Sequence, residues 1–301
     1  MARPKVVYHY TSADTLLKIL DSQSIWASNL RYLNDVSESD HCIKMMRQRM
    51  PEFLERHKPA CGEDLELALR KLQIDSWNTP YVASFSAHGD SLPQWRSYCG
   101  NGNGVSVGFR ASALRKSTLT DLPRLGKFPP ATSSLNEVKY LSDADWKKTD
   151  TLILSCIREL ERWRREQDSR SPDERIDIND DSFLQVAIMH VACVVKHASF
   201  SSEKEHRLIA PDTLFAGAEV MRFRSSKTTV IPYLNVRMPK WGESRKGPPK
   251  YSPTFDDFYL EEIVIGPTPN PELTLGALKS LFARKQVPVA VRNSAVPYRD
   301  L

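Results

Sequence analysis

The side chains most able to do chemistry are dispersed along the chain: His9 in "YHYTS", Ser84 and Ser86 in "ASFSAHG", Trp95 and Tyr98 in "PQWRSY", and Glu203, Glu205 and Arg207 in "EKEHR". With the period of two of a β-strand, Glu203, Glu205 and Arg207 project to one side and Lys204, His206 and Leu208 to the other, which sets the two carboxylates about 7 Å apart. Two acids flanking a guanidinium can act as an acid and base pair, or can form an internal ion pair on an exposed strand edge. The same alternation puts Val7, His9 and Thr11 on one side of a first strand, with Val6, Tyr8 and Tyr10 on the other. His9 is then either a core histidine bonded to a backbone carbonyl or a site group that exchanges hydrogen bonds near neutral pH. Trp95 and Tyr98 read as core residues or as a stacking platform.

Other chemistries lack their signatures. Seven histidines are present, with no H-E-x-x-H or comparable ligand spacing, so no metal site is expected. No G-x-S-x-G string marks a serine nucleophile. The run from Gly100 to Gly104 lacks the Lys-Ser/Thr ending of a phosphate-binding loop and reads as a turn.

The elements that must position these groups follow from pattern and punctuation. A strand over 5–11 runs into a helix that Thr11 or Ser12 could cap, with Leu16, Leu17, Ile19 and Leu20 as its apolar stripe. "SIWASNL" is a second strand leading to a polar turn at Asn34 and Asp35. A charged, amphipathic helical region spans about 38 to 75, interrupted at Pro51 and near Pro59 to Gly62. Further strands are expected in "YVASFS", "GVSVGF", "EVKYL", the alternating "SFSSEKEHRLIA", "TTVIPYL", "LEEIVIGP" and "VPVAV". Helices are expected at about 143–166, 182–198 and 271–284, with an exposed loop in "EQDSRSPDERIDINDDS".

Strands and helices mix without a βαβ rhythm, which predicts an α+β fold with a mostly antiparallel sheet in one domain, 1–301, with helical insertions at about 36–76 and 142–198. A chain of 301 residues, 41% hydrophobic, suffices for one large core or two modest ones. Five scattered cysteines without C-x-x-C spacing predict neither zinc nor disulfides and suit a reducing cytoplasm. No stretch has the length of a signal peptide's apolar core or a membrane helix, so a soluble protein is expected. A formal charge of +5 tolerates a polyanionic partner without marking a dedicated nucleic-acid binder.

The succession "YHYTS", "LNDVSE", "SFSAHGDSLPQWRSYCGNGNGVSVGF", "EVKY", "SFSSEKEHRLI", "IVIGP" and "NSAVPYR" resembles the bacterial family of domain-of-unknown-function 2971, members of which are linked to abortive phage resistance. The family's first motif in turn resembles the opening strand of ADP-ribosyltransferases. That resemblance implies a split sheet and NAD as substrate, with His9 matching the first motif, Ser84 or Ser86 the second, and Glu203 with Glu205 an E-x-E. It further implies Glu205 beside the positive charge that develops on ribose, Glu203 orienting or deprotonating the acceptor, and His9 donating to a ribose hydroxyl or the carboxamide. Tyr10, Thr11, Trp95, Tyr98 and Arg207 complete the implied NAD contacts, Arg207 holding a carboxylate or the pyrophosphate. The acceptor would be a macromolecule, protein or nucleic acid, or water, in a phage-defence or toxin-like setting with a possible neutralising partner. Two other functions use the same residues: a non-catalytic sensing or partner-binding module, and a nuclease toxin with His9, His88 and Glu205 as acid and base groups.

Overall fold

The alternation at the start of the chain becomes strand β1 (Val6–Ser12), and its last residue stops it by starting a helix. The Ser12 hydroxyl accepts from the Thr15 backbone N–H and caps α1 (Ala13–Ser22), whose Leu16, Ile19 and Leu20 turn inward. In this computed structural model the described residues are 5–33, 37–73, 79–99, 103–115, 117–119, 133–210, 220–226, 228–238 and 259–297. The turn expected at Asn34 and Asp35, and the glycine run at 100–102, lie outside them.

After α1 come β2 (Ser24–Asn29), α2 (Ser37–His57), α3 (Gly62–Lys71), β3 (Tyr81–Ser86), α4 (Leu92–Tyr98), β4 (Gly104–Arg110), α5 (Ala111–Leu114) and β5 (Thr118–Leu119). Next are β6 (Ser134–Glu137), β7 (Lys139–Leu141), α6 (Trp146–Asp168), α7 (Asp180–Ala192), β8 (Val195–His197), a 3-10 helix over Ala198–Glu203, and β9 (Glu205–Ile209). The chain closes with β10 (Arg222–Ser225), β11 (Val230–Arg237), β12 (Leu260–Ile265), α8 (Pro271–Lys285) and β13 (Ala290–Asn293).

Among the described residues eleven strands form one open sheet in the order β10-β11-β2-β3-β1-β4-β12-β13, with β9 beside β3, β6 beside β9 and β5 beside β11. Every pairing in it is antiparallel except β12 with β13, so the fold is α+β with a mostly antiparallel sheet. The sheet forks at β3. One edge of β3 is covered by β9 from Val82 to Ser86, whereas the other is shared: β2 pairs it at Tyr81 and Val82, and β1 pairs it at Ser86 alone. Between those contacts β1 and β2 diverge, and the segment around Ser84 faces the gap.

Two large apolar clusters stand out among the described residues. One packs the sheet against α1 and α8 through residues such as Val7, Leu16, Phe85, Phe109, Leu234 and Phe282. The other belongs to α2, α3, α6 and α7, through Met46, Phe53, Leu65, Ile153, Leu160 and Ile188, so the two helical insertions form one packed unit. The short parallel pair β7 and β8 joins that unit to the sheet.

Several expectations need correction. Helix α2 runs through Pro51 instead of breaking there; the neighbouring Met50 and Phe53 are buried in the helical core, and that packing outweighs the lost backbone bond. "EVKYL" is two strands in two sheets, divided at Val138. The helix expected to reach residue 198 ends at Ala192, and β8 and a 3-10 helix follow. Gly104 opens β4 where it meets α4 closely: a Cβ there would lie 2.2 Å from that of Cys99.

Candidate functional site

The fork leaves the backbone of Ser84 without a strand on that side, and a side chain takes the strand's place. His9 Nδ1 lies 2.9 Å from the Ser84 carbonyl oxygen. A carbonyl only accepts, so Nδ1 carries the proton, and in the neutral ring Nε2 is an acceptor. Burial lowers the pKa of His9, the bond to Ser84 opposes this, and the positive charge of Arg224 lowers it further. The imidazole is therefore neutral at pH 7, and it offers an acceptor where the resemblance implied a donor.

A cleft of about 670 Å³ opens at the fork, within the range of small-molecule sites. His9 and Thr11 of β1 line it together with Ser84 of β3, Glu205 and Arg207 of β9, and Glu203 just before that strand. The segment near residue 9 and the acid pair, almost two hundred positions apart, thus share one hollow. Tyr98 stands at its rim, 44% exposed. A small hollow of about 60 Å³ shares His9, Ser84, Tyr98 and the two acids and adds Tyr8, Tyr10, Ser86 and Gln94.

The acids are not arranged as strand alternation predicts. Glu203 ends the 3-10 helix, Lys204 takes a left-handed backbone at φ 46°, and β9 begins only at Glu205. Nor is β9 an exposed edge, because β3 and β6 pair it on either side. The two carboxylates meet through a residue missing from the sequence-based set: Lys196 Nζ is 2.6 Å from Glu203 Oε2 and 2.9 Å from Glu205 Oε2. Arg207 donates from Nε to Glu205 Oε1 at 2.7 Å and from Nη2 to Oε2 at 3.1 Å, a bidentate grip, while Nη1 holds the Cys193 carbonyl at 2.7 Å.

Burial pushes the Glu205 carboxyl up, but the charges of Arg207 and Lys196, with hydrogen bonds from Arg207 and Ser84, outweigh it and hold the pKa below the usual carboxylate value. Glu205 is thus an ionised group closed in by its partners, its side chain 7% exposed against 23% for Glu203. Arg207, 1% exposed, serves that carboxylate.

The other expected contacts divide between cleft and core. Ser86 is buried; its hydroxyl donates to the Glu203 carbonyl and accepts from the His88 N–H, so it pins the turn that presents Glu203. Tyr10 is buried on the opposite face of β1, where its hydroxyl donates to the His88 carbonyl and accepts from the Ser91 N–H. Its ring meets Trp95 edge-on at 4.7 Å. Trp95, 1% exposed, is a core residue whose indole donates to Asp90, so it is not among the residues lining the cleft.

Across the fork, β10 and β2 supply groups that the sequence had not singled out: Arg224, Trp26 and Ser28. Lys18 of α1 reaches the same wall and lies 5.9 Å from the Trp26 ring. Trp26 and Ser28 alternate onto one face of β2, which is the only local signal that could have linked them. Among the described residues no group of three or more His, Cys, Asp or Glu side chains could hold a metal ion, and no helix is long and apolar enough to cross a membrane.

A family model described as "Protein of unknown function (DUF2971)" matches residues 94–208, a span that runs from α4 to β9 and so includes Tyr98, Lys196, Glu203, Glu205 and Arg207. No curated protein matches the chain, and no solved structure does.

Proposed function

We propose that this chain, a member of the DUF2971 family, cleaves the bond between ribose and nicotinamide in NAD and passes the ADP-ribosyl group to a macromolecule or to water, in a phage-defence or toxin-like setting. The observation that carries this reading is the meeting of His9 with Glu203 and Glu205 in one cleft of nucleotide size. Departure of nicotinamide builds positive charge on the ribose, comparable to the state in glycoside cleavage, and a nearby carboxylate stabilises it.

Between the two acids, Glu203 suits that task. It has the more exposed side chain and a single lysine partner in Lys196, whereas both oxygens of Glu205 are held by neighbours. Glu205, Arg207 and Lys196 position Glu203, and Ser86 fixes the backbone that carries it. His9 Nε2, as an acceptor, takes a hydrogen bond from a ribose hydroxyl or the carboxamide N–H, and Tyr98 offers an aromatic face at the rim. The test is nicotinamide release from NAD by the wild type, E203Q and H9A, with acceptor-free and lysate-supplemented arms. Release that depends on Glu203 is expected; its absence from the wild type in both arms overturns the proposal.

One observation favours a second reading, a sensing module without turnover: the positive and negative charges of Lys196, Arg207, Glu203 and Glu205 balance one another within the fold. NAD binding by calorimetry without nicotinamide release would identify it. The nuclease reading gains no such support, since His88 is exposed and does not line the cleft.

A further inference from the structure

The wall of the cleft opposite the acids contains a cation without an acid. Arg224 sits on β10 opposite Ile231 of β11, and Ser28 and Trp26 follow on the same face through the register of β11 with β2. Its guanidinium lies 5.8 Å from the Trp26 ring centroid, and Nη2 donates to Ser28 Oγ at 3.1 Å. The Nε atom is buried and has no hydrogen-bond partner, and no carboxylate pairs with the group among the described residues. Three other arginines of low exposure rest on acids: Arg49 on Asp150, Arg110 on Glu261 and Arg207 on Glu205. A desolvated guanidinium with an idle donor is unfavourable until an anion reaches it.

We infer that Arg224, with Ser28 and the flanking Lys18, forms an anion subsite that takes a phosphoryl group of the ligand held in this cleft. A phosphoryl group suits such a partner, since a guanidinium is a fixed cation whose fork of N–H donors complements phosphate oxygens, and a side-chain shift that uncovers the buried Nε would let it join the contact. Lys18, paired with the exposed Asp14 at 2.7 Å, adds charge from the α1 side. Trp26 holds the guanidinium plane from beneath and is itself backed by Tyr233 at 5.0 Å. Burial also lowers the pKa of Arg224, consistent with a charge lacking compensation. The subsite rests on the reading of this hollow as a ligand site, and does not depend on NAD being turned over in it.

Calorimetric titration of the full chain with inorganic pyrophosphate, ADP-ribose and nicotinamide riboside, for wild type, R224Q and R224K, tests the assignment. Binding of pyrophosphate or ADP-ribose to the wild type is expected, weakened about tenfold or more in R224Q and less in R224K, the affinity for nicotinamide riboside being unchanged. Tighter binding of ADP-ribose than of pyrophosphate assigns the subsite to a nucleotide; the reverse assigns it to a free phosphate. Without ligand, R224Q is expected to melt at or above the wild-type temperature. Equal affinity in R224Q, no binding of either phosphate probe to the wild type, or a lowered melting temperature in both variants overturns the inference, the last by marking Arg224 as a structural cation. Phosphate binding without nicotinamide release would sink the NAD-cleavage proposal and leave the subsite standing.

Discussion

Replacing Glu205 by glutamine removes one charge from a closed set and leaves its shape nearly unchanged. Arg207 and Lys196, 1% and 4% exposed, would both lose that negative charge, and the guanidinium would lose its bidentate partner. Removing one member of a buried, hydrogen-bonded ion pair costs about 3–5 kcal/mol. For a chain of this length that lowers the melting temperature by roughly 5–8 °C. The sign of the pH dependence follows from the depressed carboxyl. The contribution of Glu205 is fully present above its unfolded pKa of about 4.3 and is lost as pH falls from there through the folded value. Thermal unfolding followed by circular dichroism at pH 7 and at successively lower pH should therefore show E205Q well below the wild type, with a gap that closes in acid. The double variant K196M/E205Q, which removes one cation together with the anion, should recover about 1 kcal/mol or more relative to additivity. An E205Q protein melting within about 1 °C of the wild type at pH 7 would refute the claim that this network is closed and desolvated.

E203Q should lower nicotinamide release about 100-fold or more while its melting temperature falls far less than that of E205Q, since the pair it breaks is more exposed; equal thermal losses would show that the two acids do one structural job. H9N strands the Ser84 carbonyl and should cost about 1–3 kcal/mol at pH 8. Because the fold favours the neutral imidazole, the stabilisation from His9 is present above about pH 6.5 and is lost as pH falls below it, so the difference in urea midpoint between wild type and H9N should narrow toward pH 5.5. G266A would set a Cβ 2.9 Å from the Trp95 ring and 3.0 Å from the Gly104 carbonyl oxygen, and should destabilise by about 1–3 kcal/mol in urea without changing ligand affinity in the cleft.

The swap of roles between the two glutamates illustrates how little an E-x-E spacing says about exposure. On a regular strand both acids would face one way with equal access. Here the 3-10 helix and the left-handed Lys204 turn Glu203 outward at the lip, while the strand that starts at Glu205 carries that carboxylate under Arg207. Lys196, which joins them, sits on β8 in a stretch whose apolar neighbours had read as helix.

Local pattern was enough for the elements that carry their own start and stop: the alternation of β1, the Ser12 cap of α1, the strands β4, β11 and β12, and the helix α8 all lie close to where period and punctuation put them. It was enough also to single out His9, Glu203 and Glu205, which the structure brings to one cleft. What no window of sequence contains is the fork: whether β1 and β2 lie side by side or part at Ser84 depends on pairings between segments scores of residues apart, and the cleft exists only because they part. The balance of charge is equally nonlocal. Lys196 closing on Glu205, and Arg224 facing the hollow with no acid paired to it among the described residues, are outcomes of which distant strands became neighbours, since Coulomb attraction and desolvation act through space and not along the chain.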